Sequence, residues 1–347
     1  MASEKNSKPG RWWNWARMGL GLAGLGIVVY GVSEEDALLE TFLSVDLGYI
    51  FIAFVLTLAA TIVKTGRWWL VLNFSQVEIS FQRLFGTYLV GTFFSQFMPG
   101  SSMGGDAMRM VETSVDTGHA VTSVSSVLIE RAIGLATIIV SASIILLLSP
   151  EDELTGTSVW WVIHGLAIAC VVGLLVLRMG WFVSPLVRFL ERIKLSVIGS
   201  KIRTLSQAFQ GQLGHWRLLV QMVALSFLAN AATMTAAYVS LLSLNEVVPY
   251  FSFIPLIALA VAIEVIPISP GALGLREAAY VFFLTTFLGV SHAASLATAL
   301  LVRGVSMALG VIGGMVFIAR SLDSRSRQLA PSSSSVLNQQ PETGNTP

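Results

Sequence analysis

Long apolar runs alternate with short charged segments along this chain. Runs at about 16–32, 47–63, 120–148, 158–177, 218–244 and 293–319 approach or exceed the ~20 residues a helix needs to cross a bilayer, and are predicted to be spans. Two other apolar stretches differ. The run 84–98 is short for a span, and the stretch 252–290 is interrupted. Each carries helix-breaking residues: Pro99, Gly100, Gly104 and Gly105 in the first, Pro267, Pro270, Gly271 and Gly274 in the second. Proline removes a helix hydrogen bond and glycine accepts almost any backbone angle, so helix breaks are expected at these eight positions.

Charge decides how these stretches sit. Basic loops belong on the cytoplasmic side of a membrane. The N-terminal segment and residues 64–83, 178–217 and 320–327 are basic, whereas 33–46 and 149–157 are acidic and 245–251 lacks Lys and Arg. With these assignments, 84–118 leaves from the cytoplasm and returns there, and 252–290 leaves from the outside and returns outside. The expected fold is an all-α polytopic membrane protein with six full spans and two oppositely oriented re-entrant broken-helix hairpins. Residues 1–15 form a cytoplasmic segment, 16–320 the membrane domain and 321–347, rich in Ser, Pro, Gln and Asn, a disordered tail. Residues 178–217 mix Arg and Lys with Trp181, Leu186, Phe189 and Ile198, the pattern of a helix lying on a membrane surface.

The two interrupted stretches look like copies. Asp106 answers to Glu277, and Arg131, 32 residues after Pro99, answers to Arg303, 33 residues after Pro270. An internal duplication follows, with repeats at about 16–148 and 158–320. The second is inverted relative to the first, an arrangement found in secondary transporters.

Composition agrees with a membrane protein. Of 347 residues, 54% are hydrophobic and only 12% charged, against about 25% charged in soluble domains. The net charge of +1 gives no reason to expect a nucleic-acid partner. The one cysteine, Cys170, rules out an internal disulfide. No phosphate-binding loop, nucleophile elbow or zinc-ligand spacing occurs, so no cofactor, no metal and no enzymatic activity is expected.

Charged residues inside apolar segments then become the candidate site, because charge in a bilayer survives only when paired or wet. Arg109, Arg131, Arg276, Arg303 and Asn230 are the candidate substrate contacts. Asp106, Glu130, Glu264 and Glu277 are candidate proton carriers or ion-pair partners. A guanidinium fork suits phosphate or carboxylate. The competing reading makes the same charges structural, with Arg131 paired to Asp106 or Glu277 and Arg303 to Glu264. Arg67, beside Trp68 and Trp69, reads as an interfacial anchor.

Taken together, Pro99 with Gly105-Asp106 and Arg109, then Glu130-Arg131, then Pro270, Gly274 and Glu277, then Arg303, resemble the motifs of the flippase-like family named for the transmembrane region of lysylphosphatidylglycerol synthase. The resemblance covers roughly 45–320. It implies movement of a lipid or lipid-linked headgroup between leaflets, with an anionic phospholipid or polyprenyl phosphate as substrate. The soluble aminoacyl-transferase domain of full-length synthases has no counterpart here, so lipid aminoacylation is not implied. Three readings stay open: a lipid translocase, a non-transporting subunit presenting lipid to a separate membrane-associated transferase, and a membrane-embedded enzyme using Asp106 and Glu277. The expected location is a prokaryotic cytoplasmic membrane with both termini inside; the oligomeric state is left undefined.

Overall fold

The computed structural model describes residues 35–97, 102–149, 154–180, 183–192, 196–264 and 273–329. The first expected span, Pro99, Gly100, Pro267, Pro270, Gly271 and the tail beyond Leu329 lie outside these residues. The described chain is helical, without strands: α1 (Glu35–Leu43), α2 (Leu47–Phe74), α3 (Phe81–Phe97), α4 (Ser102–Thr117), α5 (Ala120–Leu148), α6 (Ser158–Met179), α7 (Val183–Arg192), α8 (Ser196–Gly214), α9 (Trp216–Leu242), α10 (Tyr250–Glu264), α11 (Leu275–Leu288) and α12 (His292–Leu329). Five of these helices, α2, α5, α6, α9 and α12, are long and apolar enough to cross a membrane. Large apolar side chains such as Trp161 and Ile168 of α6 stand exposed on the outside of the bundle, where a bilayer would solvate them.

The boundaries of α5 and α6 fall within two residues of those expected. Two ends differ. Helix α2 continues eleven residues past the expected 63, through Lys64 and Arg67, because these charges find partners inside the bundle. Helix α12 reaches Leu329, so residues 321–329, expected in the tail, extend the last helix.

Helices α2 and α9 form the central pair and run antiparallel. At one end the Asp46 N–H donates to the Ser243 carbonyl (2.9 Å), and at the other Gln212 Nε2 donates to Ser75 Oγ (2.9 Å). Midway, Lys64 Nζ donates to Thr233 Oγ1 (3.2 Å).

Helices α3 and α4 form a tight antiparallel hairpin. Arg83, at the start of α3, is bidentate to Asp116, at the end of α4 (2.6 and 2.8 Å). Nearer the tip, Gly91 faces Gly105 so closely that a Cβ on Gly105 would overlap Ser95 Oγ and the Gly91 carbonyl oxygen. This corrects the expected breaks at Gly104 and Gly105. Both lie inside α4, and Gly105 is there for close approach rather than for interruption.

Helix α12 lies antiparallel along α3. Gly313 sits against the Leu89 carbonyl and Gly310 against Phe93 and Phe97. Further along, Arg320 donates to Glu112 Oε2 (3.0 Å), Thr87 Oγ1 (3.0 Å) and the Arg83 carbonyl (2.8 Å). The tip of the hairpin is therefore level with the middle of α12, and its mouth is level with Arg320. Arg320→Ala unties the mouth while leaving Arg83 paired with Asp116. It is expected to lower stability by about 1–2 kcal/mol, read as a shift of the thermal midpoint in detergent.

A second hairpin is formed by α10 and α11. Gly274 caps α11 at φ +78°, a left-handed angle that favours glycine, and its N–H donates to Glu277 Oε2 (2.8 Å). Helix α10 packs against α5, and α11 against α12.

Candidate functional site

The charged centre is assembled from five helices, α2, α3, α4, α5 and α9. On α2, Arg67 is 3% exposed and Trp68 is fully buried, which overturns the interfacial reading of this segment. Glu130 of α5 joins two guanidinium groups: Arg67 Nη2 donates to Oε1 and Arg109 Nη2 to Oε2 (3.0 Å). Arg67 Nη1 also donates to Ser226 Oγ on α9. Arg109 lies over the rings of both Trp68 (4.3 Å) and Tyr88 (4.1 Å), which meet edge to face at 68°, so its charge faces two aromatic quadrupoles from adjoining sides. Trp68 Nε1 in turn donates to Ser126 Oγ (2.9 Å).

Glu130 and Arg131 are neighbours in sequence and about 100° apart around α5, so they reach different partners. Arg131 donates to Asp106 Oδ2, and Arg109 reaches Asp106 Oδ1 at 3.4 Å.

A comparable acid–arginine pair occurs later in the chain. Arg303 Nε of α12 donates to Glu277 Oε1 of α11 (2.7 Å), as Arg131 of α5 does to Asp106 of α4. The expected pairing of Arg303 with Glu264 is corrected. Glu264 instead accepts a bidentate pair from Arg276 (2.7 and 2.6 Å), and fully buried Glu277 is the acid within reach of Arg303.

A chamber of about 310 Å³ opens among these groups, with an adjoining lobe of about 260 Å³. The first hairpin contributes Ser95, Gln96, Asp106 and Arg109; the second contributes Val261, Glu264 and Arg276. Arg67, Glu130, Arg131, Asn230 and Thr233 fill in the walls. Glu277 and Arg303 line neither lobe. Asn230 bridges helices: its amide donates to Thr137 Oγ1 (3.0 Å) and approaches the Gly134 carbonyl (3.4 Å).

Lys64, Arg67, Trp68 and Tyr88 were missed as site residues. An apolar run that ends in Lys, Arg and two Trp looks the same whether it meets an interface or continues into a bundle. The available signal was the position of Lys64 and Arg67, i and i+3 on one helical face. No cluster of three or more His, Cys, Asp or Glu suited to a metal occurs among the described residues.

The fold and site define a multi-pass helical membrane protein with a charged internal chamber. The chain belongs to the family described as the lysylphosphatidylglycerol synthase TM region, whose model matches residues 14–314. That membership associates it with lipid modification or transport. No curated protein and no solved structure matches it.

Proposed function

We propose that this protein moves the anionic headgroup of a membrane lipid, a phospholipid or a polyprenyl phosphate, from one leaflet to the other through the chamber. The observation that carries the reading is charge. Five cationic side chains line the main lobe (Lys64, Arg67, Arg109, Arg131, Arg276) against three acidic ones (Asp106, Glu130, Glu264), an excess of two positive charges inside an apolar bundle. An uncompensated charge in such a place is costly unless water or an anionic ligand joins it.

The architecture in this reading is an inverted repeat with two re-entrant hairpins whose tips face one chamber. Three findings support it: the α3–α4 tip stops level with the middle of α12, residues from both hairpins line the same lobe, and the pair Asp106–Arg131 has its match in Glu277–Arg303. The basic mouth of the first hairpin, with Arg83 and Arg320, would then face the cytoplasm.

The test is leaflet exchange of a fluorescent phosphatidylglycerol in liposomes. Wild type is expected to accelerate exchange, and Arg131→Ala, on the chamber wall, to abolish it while still eluting as folded protein. Absence of exchange by folded wild type, across phosphatidylglycerol and polyprenyl phosphate alike, would favour a subunit that presents lipid to a separate transferase.

A further inference from the structure

The chamber's cations are not equivalent. Arg67, Arg109, Arg131 and Arg276 each form an ion pair with Glu130, Asp106 or Glu264. Lys64 is bonded to a neutral hydroxyl, Thr233 Oγ1, and no carboxylate lies within ion-pair distance of it among the described residues. The segments that connect α3 to α4 (98–101) and α10 to α11 (265–272) in the sequence contain no Asp or Glu. Glu130 bears on Lys64 electrostatically, but Arg67 and Arg109 already share both its oxygens. A lysine ammonium has three donors, so two of the three on Lys64 remain after Thr233.

The position of Lys64 is also distinctive. It is 169 residues from Thr233, and the two hairpins begin at Phe81 and Tyr250, also 169 apart. Lys64 and Thr233 thus occupy matching places in the two halves and touch each other across the central α2–α9 pair. In an inverted repeat such a contact lies on the axis relating the halves, which runs in the plane of the membrane. Lys64 is then at the midplane.

Beyond Asn230 and Ile138, which the two spaces share, lies an apolar cavity of about 300 Å³ between α5, α9 and α10. Phe227, Met234, Ile145 and Ile254 line it. Ile144 on its wall is 42% exposed, so the cavity reaches the flank of the bundle. A polar chamber that shares its Asn230 and Ile138 wall with an apolar side cavity matches an amphiphile rather than a soluble anion.

Building on the translocase reading, we propose that Lys64 is the residue that binds the phosphate of a lipid, and that the lipid's hydrocarbon leaves through the apolar cavity between α5, α9 and α10. The paired arginines shape the chamber, and Lys64 selects its ligand.

Binding, measured apart from transport, tests this. The full chain in detergent is titrated with dioleoyl phosphatidylglycerol and read by native mass spectrometry, and separately with radiolabelled inorganic phosphate. Lys64→Met is expected to weaken lipid binding about tenfold or more, and Lys64→Arg to restore most of it. Lys64→Met breaks no ion pair, so its thermal midpoint should match wild type and report a folded protein. Ala231→Trp, on an exposed wall of the apolar cavity, should weaken lipid binding without changing the response to inorganic phosphate.

Wild-type lipid affinity in Lys64→Met would overturn the assignment of the head, and wild-type affinity in Ala231→Trp that of the tail. Inorganic phosphate binding as tightly as the lipid, and lost in Lys64→Met, would make this a soluble-anion site and overturn the lipid assignment. Lipid binding that depends on Lys64 in a protein that exchanges nothing would sink translocation and leave the site standing. Exchange that survives with Lys64→Met binding intact would do the reverse.

Discussion

Glu130→Gln is expected to lower stability by about 3–5 kcal/mol, the largest loss from any one side chain in the charged centre. Glu130 is buried and supplies one oxygen to each of two buried guanidinium groups. Glutamine keeps the shape but removes the charge. It also presents an amide NH₂, a donor, to one of two arginines that can only donate. The amide oxygen can still accept from one arginine; the other would keep only its remaining contact, a distant one with Asp106 for Arg109 or the Ser226 hydroxyl for Arg67. Against a typical total of 5–15 kcal/mol, a loss of this size removes much of the folded population. Thermal midpoints and monodisperse yield in detergent would report it, with Glu130→Asp recovering part. An unchanged midpoint would mean that water in the chamber already compensates Arg67 and Arg109, and that Glu130 is not what holds them. Replacing Arg67, Arg109 and Glu130 together by methionine should be less harmful than Glu130→Gln alone, since the charges then disappear together.

The same residues show how far the sequence could be read. The pairing of Asp106 with Arg131 was within reach because one sequence pattern occurs twice: an acid soon after Pro-Gly and an arginine on the next apolar run. The different directions of Glu130 and Arg131 followed from helical geometry alone. Arg67 and Lys64 were not legible, since hydropathy ends a span at the first charged residues and only a partner from another helix reveals that the span continues. Glu130 belongs to that partner set, and its bond to Arg67 joins positions 63 residues apart that no local pattern connects. The pairing of Arg303 was misassigned for a related reason. Glu264 and Glu277 are equally eligible by charge, and what separates them is the fold of Gly274, whose N–H fixes the Glu277 carboxylate.

Gly105→Ala is expected to destabilise the protein by about 2–3 kcal/mol, although alanine is normally the better helix residue by about 1 kcal/mol. The added Cβ would overlap Ser95 Oγ and, more seriously, the Gly91 carbonyl, a backbone atom that cannot turn aside. The hairpin would have to open there. Gly91 itself packs on the Arg109 side chain, where a Cβ would come within 2.7 Å of Cγ, so opening the hairpin also moves Arg109 away from Glu130. Two controls separate close approach from a helix break. At Gly104 a Cβ would meet only the Phe94 carbonyl at 3.7 Å, ordinary contact, and at Gly165 in α6 it would meet nothing within 4 Å. Gly104→Ala and Gly165→Ala should therefore be neutral or slightly stabilising. A glycine pair placed to break a helix would make Gly104→Ala and Gly105→Ala similarly harmful. A pair placed so that two helices can touch makes only Gly105→Ala harmful, and leaflet exchange should fall with it, because Asp106 and Arg109 on the same turn of α4 hold the chamber's shape.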